Sequence, residues 1–164
     1  SKSSLLVRTE IEREFSRMLD ESRPALVRLA RRYAGADDWQ DLLQEMCLQL
    51  WRSFGSFDGR AQQSTWVYRV ALNTALSQIR RPRLLHSPLD GIAEPGDSGQ
   101  PGDPLHVLDA FLAGLDPLSR SVLLLDLEGL PREQIADVLG LTPNAVAIRM
   151  TRLRQAFETR FLED

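Results

Sequence analysis

The chain has one cysteine and two histidines, and that scarcity excludes several chemistries at once. A lone thiol forms no disulfide within the chain. Cys47 also sits inside the apolar run 42–51, where a thiol behaves as a small, inert hydrophobe. His86 and His106 lack metal-ligand spacing, so no metal is expected. No run of 18 apolar residues and no secretory h-region is found, so no membrane insertion is expected either. Alternating stretches rich in Val, Ile and Thr are missing, which leaves no candidate strand. Without a nucleophile–base pair or a Gly-rich phosphate loop, neither catalysis nor a cofactor is expected. What remains is a reduced, cytoplasmic, all-α protein that acts by binding.

Positive charge is in slight deficit, 20 basic against 23 acidic residues, for a net charge of −3. A protein that grips DNA unaided neutralises phosphates with its own cations, so this balance points to a larger partner that supplies most of the grip. The charge is segregated: +3 over residues 1–81, −3 over 82–104 and −3 from 105 onward. The stretch 86–104 holds four prolines, four glycines and four acids with almost no apolar period, as an exposed linker does. Two small helical domains, 10–81 and 105–161, are therefore expected on either side of a flexible acidic linker, 82–104.

In the first domain Ile11, Phe15, Met18, Leu19, Leu26, Leu29, Ala30 and Tyr33 keep a helical period. It breaks near Ser22-Arg23-Pro24, so one kinked helix or two short ones fit. Asp37 and Asp38 would cap a helix running to about Ser53, with Leu42, Leu43, Met46, Cys47, Leu50 and Trp51 buried. Its outer face would show Asp41, Gln44, Glu45 and Gln49. A turn-like, aromatic connector follows at 54–60. A third helix, from Ser64 or Thr65 to Arg81, would direct Arg69, Asn73, Gln78, Arg80 and Arg81 to solvent before Pro82 stops it. Four more helices are expected at 105–115, 117–127, 132–139 and 143–161.

The most informative stretch is 129–146, which spells two helices joined by a three-residue turn. Pro131 and Pro143 suit a first helical turn, Gly140 suits a left-handed helix end, and Thr142 is placed to cap the second helix. Ile135, Ala136 and Leu139 face Val146, Met150, Leu153 and Phe157, leaving Asn144, Thr151, Arg152 and Gln155 outside with Arg149 and Arg154 beside them. On pattern alone this is either a DNA-reading helix-turn-helix or a hairpin of another all-α domain.

Two sets of residues together resemble a known family. Asp38-Trp39-Gln40-Asp41-Leu42-Leu43-Gln44-Glu45, Leu48 to Trp51, Phe57-Asp58-Gly59 and Thr65 to Asn73 resemble region 2 of bacterial sigma factors of the extracytoplasmic-function (ECF) group. Leu115 to Arg120, Glu128-Gly129-Leu130, Glu133 to Ala136 and Val146 to Arg152 resemble region 4 of the same family, in its order and spacing. The resemblance implies a promoter-specificity subunit of RNA polymerase. In it, region 2 docks on the β′ clamp helices and melts the −10 element, and region 4 reads the −35 element and touches the β flap. The polymerase contacts it implies are Asp38, Asp41, Leu42, Gln44, Glu45 and Leu48. Those to the −10 element are Phe57, Arg60, Arg69, Asn73, Arg80 and Arg81, and those to the −35 element are Thr142, Asn144, Ala145, Ile148, Arg149 and Arg152. An anti-sigma factor is the expected inhibitor.

Residue chemistry alone leaves alternatives beside these roles. The acids and amides of 38–45 suit a basic protein partner or simply a solvated helix face. Phe57 walls a pocket for a flipped base or packs in the core, and Asn73 meets a base edge or water. The linker occupies a basic channel or is only a tether. Ala147, Ile148 and Leu153 stand where the family's recognition helix usually has Lys, Ser and Ala, and Gln40 stands where an acid is common. Two other functions compete: a sigma-like decoy for an anti-sigma factor, which would not need the retained Thr142, Asn144, Arg149 and Arg152, and a free-standing helix-turn-helix regulator, which the acidic balance disfavours.

Overall fold

The computed structural model describes residues 2–57, 59, 62–80 and 104–162. The expected linker lies outside these residues, except Pro104, which opens a helix. Every regular element among the described residues is helical. Contacts divide the chain into two units, Ser1–Ala75 and Leu76–Asp164, so the dividing point falls inside a helix.

The first unit is built on α1, Lys2–Ser53, which is two helical arms merged across a kink at Gly35. Gly35 has φ 78° and ψ −170°, a left-handed backbone that glycine adopts without penalty. Phe15, in the first arm, meets Trp51, at the end of the second, in an edge-to-face contact at 5.0 Å. The chain therefore doubles back at Gly35. Helix begins well before Glu10, and of the two alternatives at Ser22 to Pro24 the structure has a single helix, with Pro24 inside the first arm. Interior proline costs about 3 kcal/mol, whereas burying one Leu or Met contributes roughly 1.5–3 kcal/mol. Met18 before it and Leu26, Leu29, Ala30 and Tyr33 after it are all buried, so tertiary packing offsets the missing hydrogen bond.

The return arm buries Leu42, Met46 and Leu50. Trp51, expected in that core, is 44% exposed and meets Phe15 edge-to-face. A 3₁₀ turn, Phe54–Ser56, leads toward α2, Gln63–Arg80. Phe54 contacts both Phe15, at 5.4 Å, and Trp66, at 6.1 Å, so aromatic rings join α1 to the start of α2. Thr65, Trp66, Val67, Ala71, Leu72 and Ala75 form the buried side of α2.

The second unit holds α3 (Pro104–Ala113), α4 (Pro117–Leu127), α5 (Arg132–Leu139) and α6 (Pro143–Phe157). Asp116 caps α4 by accepting from the Ser119 amide at 3.1 Å. Arg120 donates from Nε to the Leu112 carbonyl at 3.1 Å, tying α4 to α3. Pro131 precedes α5 as its cap residue instead of lying in the first turn. Gly140, φ 70°, ends α5 as its residue type predicts, and Leu141 donates back to the Ala136 carbonyl. The helix expected to reach Phe161 stops at Phe157 and continues as a wider π-helical turn, Glu158–Leu162. There Phe161 lies 5.0 Å from Phe157 and 5.9 Å from Phe111.

Two neighbours on the return arm separate core from surface. Leu50 is fully buried and Leu48 is 43% exposed. Leu50→Ala is expected to cost about 2–5 kcal/mol in urea unfolding and Leu48→Ala less than about 1 kcal/mol. Equal losses would contradict the assigned rotation of this arm.

Candidate nucleic-acid interface

The helix-turn-helix is set by local chemistry first. Thr142 adopts an extended backbone and its Oγ1 accepts from the Ala145 amide at 3.1 Å, while Pro143 occupies the first helical position, where no amide proton is needed. Three residues, Gly140 to Thr142, join α5 to α6. α6 packs against both α4 and α5. Val146 and Leu153, two turns apart, are the residues it buries most deeply, and they fix its rotation.

Asn144, Ile148, Thr151, Arg152 and Gln155 then fall on the opposite, exposed side. Ile148 is 45% exposed at the middle of it. Thr151 donates its hydroxyl proton to the Ala147 carbonyl at 3.1 Å. Asn144 and Arg152 thus supply an amide and a guanidinium one turn before and one turn after Ile148.

Arg149 has a different place. It is half-buried, and its Nη1 donates to Ser119 Oγ at 3.2 Å. The hydrogen bonds from Ser119 hold the Asp116 carboxyl below the usual aspartate range, with a lesser contribution from the Arg149 charge. A chain of polar contacts, Asp116 to Ser119 to Arg149, therefore ties the cap of α4 to α6. Sequence reasoning grouped Arg149 with Arg152; the structure separates them. The Asp116 cap was missed, although an Asp just before Pro117 at a helix start is its signal in the sequence; its third partner, from α6, left no such signal. Ala145 is half-buried beside Arg149, and Thr142 is exposed.

In the first unit Asn73 is exposed on α2 and Arg69, one turn before it, is half-buried and engaged in interactions of its own. Arg80 ends α2. Arg60 and Arg81 lie outside the described residues. Phe57 is half-buried, its ring 5.1 Å from that of Trp66, so part of it is committed to packing.

On the return arm of α1, Asp41, Gln44 and Leu48 are exposed, and Asp38 and Glu45 are half-buried. Gln49 donates to Glu45 Oε1 at 3.0 Å. Leu42, expected among the contacts, is only 2% exposed and lies beneath this face, supporting it. Trp51 extends the face instead, at the i, i+4, i+7 spacing 44–48–51 that the sequence already contained. Cys47 is half-buried, and burial pushes its thiol up against the smaller opposing pull of Arg23. Among the described residues no helix is long and apolar enough to cross a membrane.

Comparison with known proteins assigns both halves. Residues 18–84 match the family model Sigma-70 region 2 and residues 105–163 match Sigma-70, region 4. The chain is 30% identical over 151 residues to the ECF RNA polymerase sigma-E factor of Escherichia coli K12, covering 80% of this chain and 78% of that one. It is 29% identical to the ECF RNA polymerase sigma factor SigG of Mycobacterium tuberculosis, with 89% of this chain covering 48% of that longer relative. Its fold is similar to that of the sigma factor RpoE of Bartonella quintana, solved with the anti-sigma factor NepR, with a TM-score of 0.72 at 23% identity, covering 92% of this chain and 98% of that one.

The Asp116 cap carries a pH signature. A carboxyl whose folded pKa is lowered contributes stability that is complete above the unfolded value, near about 4, and is lost as pH falls through the folded value. Between about pH 5 and 3 the wild-type second unit is expected to lose more thermal stability than Asp116→Asn, which cannot titrate. Parallel losses in calorimetric melts would show that the cap does not depend on the charge.

Proposed function

The chain belongs to the sigma-70 family, in its ECF group, and works as a sigma factor; we propose how its parts divide that task. Residues 10–81 hold core RNA polymerase at the β′ clamp helices and open the −10 element. Residues 105–161 read the −35 element and meet the β flap, and 82–104 is the acidic tether. The observation that carries this reading is the open face of α6, where Asn144, Ile148 and Arg152 stand exposed on a helix that Val146 and Leu153 turn outward. A helix so presented suits the DNA major groove.

The exposed Asp41, Gln44 and Leu48, with Glu45, form the polymerase contact, and Trp51 enlarges it. Asn73 reads one −10 base, because an amide donates and accepts at a single base edge. Arg69, Arg80 and Arg81 hold phosphates, which are alike at every position. With a net charge of −3, the chain depends on polymerase for most of its affinity for DNA. It works in the cytoplasm, as a specificity subunit with no catalysis of its own, and is silenced by an anti-sigma factor, the kind of partner named with RpoE of B. quintana.

Run-off transcription with core polymerase tests the whole. Promoter-dependent transcripts are expected only when the chain is added. Asp41→Lys with Glu45→Lys should remove both transcription and co-purification with β′, at unchanged helicity; retained co-purification would refute the docking face. Asn73→Ala should relax preference at one −10 position by about 1–3 kcal/mol in a −10 library. An unchanged library profile would move base selection to other residues.

A further inference from the structure

Isoleucine is an unusual residue at the centre of a DNA-facing surface. Ile148 is 45% exposed, and its neighbours along the same side of α6 are Asn144 and Arg152. In free protein that side chain wastes apolar area against water. Its exposed part does not hold α6 in the second unit, which is anchored on its other side by the far more deeply buried Val146 and Leu153.

The major groove presents one apolar projection. Guanine, cytosine and adenine show hydrogen-bonding groups there, and thymine adds the C5-methyl. An isoleucine pressed on a polar base edge strips water from that edge and returns no hydrogen bond, which is unfavourable. Pressed on a thymine methyl, it buries apolar area on both sides. Thr151, next to Ile148 on the exposed side, gives its hydroxyl proton to the Ala147 carbonyl, so it offers a base edge only an acceptor and its own methyl. Resting on the proposed reading of α6, we propose that Ile148 selects a single thymine in the −35 element by contact with its C5-methyl group.

Spacing confines the effect to one position. Four residues of helix advance about 6 Å, nearly two base-pair steps of roughly 3.4 Å, so Asn144 and Arg152 meet other bases or phosphates. One residue then reads one methyl.

The test uses the full chain in holoenzyme. The preferred −35 element is first selected from a randomised promoter library by run-off transcription, and each of its thymines is then replaced singly by deoxyuridine, which removes only the methyl. At one position deoxyuridine is expected to weaken holoenzyme binding about fourfold, the worth of one buried methyl. Ile148→Ala should bring the thymine-to-uracil ratio at that position close to one and leave the ratio at every other thymine unchanged, while Ile148→Val should keep most of it. Ile148 is surface-exposed, so thermal unfolding of both variants should match wild type, and a matched melt separates lost reading from lost folding. The proposal is overturned if the selected element has no thymine, if deoxyuridine is neutral throughout, or if the ratio survives in Ile148→Ala. Absence of any promoter-dependent transcript from the wild-type chain would instead overturn the sigma-factor division of labour, and this assignment with it.

Discussion

Burial of Val146 and Leu153 is the constraint on which the second unit's function depends. Two turns apart on α6, they leave the helix a single rotation against α4 and α5, and every outward residue follows from that rotation. A helix with a wider apolar stripe would sink deeper and lose its open face. A narrower one would roll. The short turn adds the second restraint, because the Thr142 cap and the left-handed Gly140 set where α6 begins and at what angle it leaves α5.

Polar contacts then refine what packing determines. Arg149 lies on α6, yet its side chain turns to Ser119, and through it to Asp116, at the start of α4. That cation serves the joint between two helices, which leaves Arg152 as the more open charge on the face beyond. Few free cations on the reading helix agree with the acidic balance of the whole chain. Affinity for phosphates is then borrowed from a larger assembly, and the helix contributes choice more than strength. The first unit follows a parallel logic: its core of Met46, Leu50 and Leu42 pushes an acid and amide face outward on the return arm of α1.

Local signals made the helix-turn-helix legible. Gly140, Thr142 and Pro143 each act on their own backbone, so no distant partner was needed to place the turn or the start of α6. The same holds for the all-α class and for Asn144, Thr151, Arg152 and Gln155 as surface residues. What the sequence hid depends on long-range packing. Pro24 looked like a kink or a break because its local cost is plain, whereas the burial of Leu26, Leu29 and Tyr33 that offsets it comes from the doubled-back chain. Trp51 looked like core by its hydrophobicity, yet it falls at the end of an arm, where it meets Phe15 edge-to-face and stays 44% exposed. Leu42 was drawn into the contact face by a motif that does not distinguish the residue touching the partner from the one beneath it. The hydrogen bond of Arg149 to Ser119 was hidden because that partner is 30 residues away.

The central claim is that the outward face of α6 lies in promoter DNA at the −35 element when the chain is part of holoenzyme. An iron chelate tethered to Gln155→Cys, in a chain whose only other thiol has been removed by Cys47→Ser, tests it most directly, since Gln155 lies exposed on that face. The account predicts hydroxyl-radical cuts clustered around the −35 element, and only when core polymerase is present. Cuts around the −10 element, or cuts spread evenly along the promoter, would contradict it.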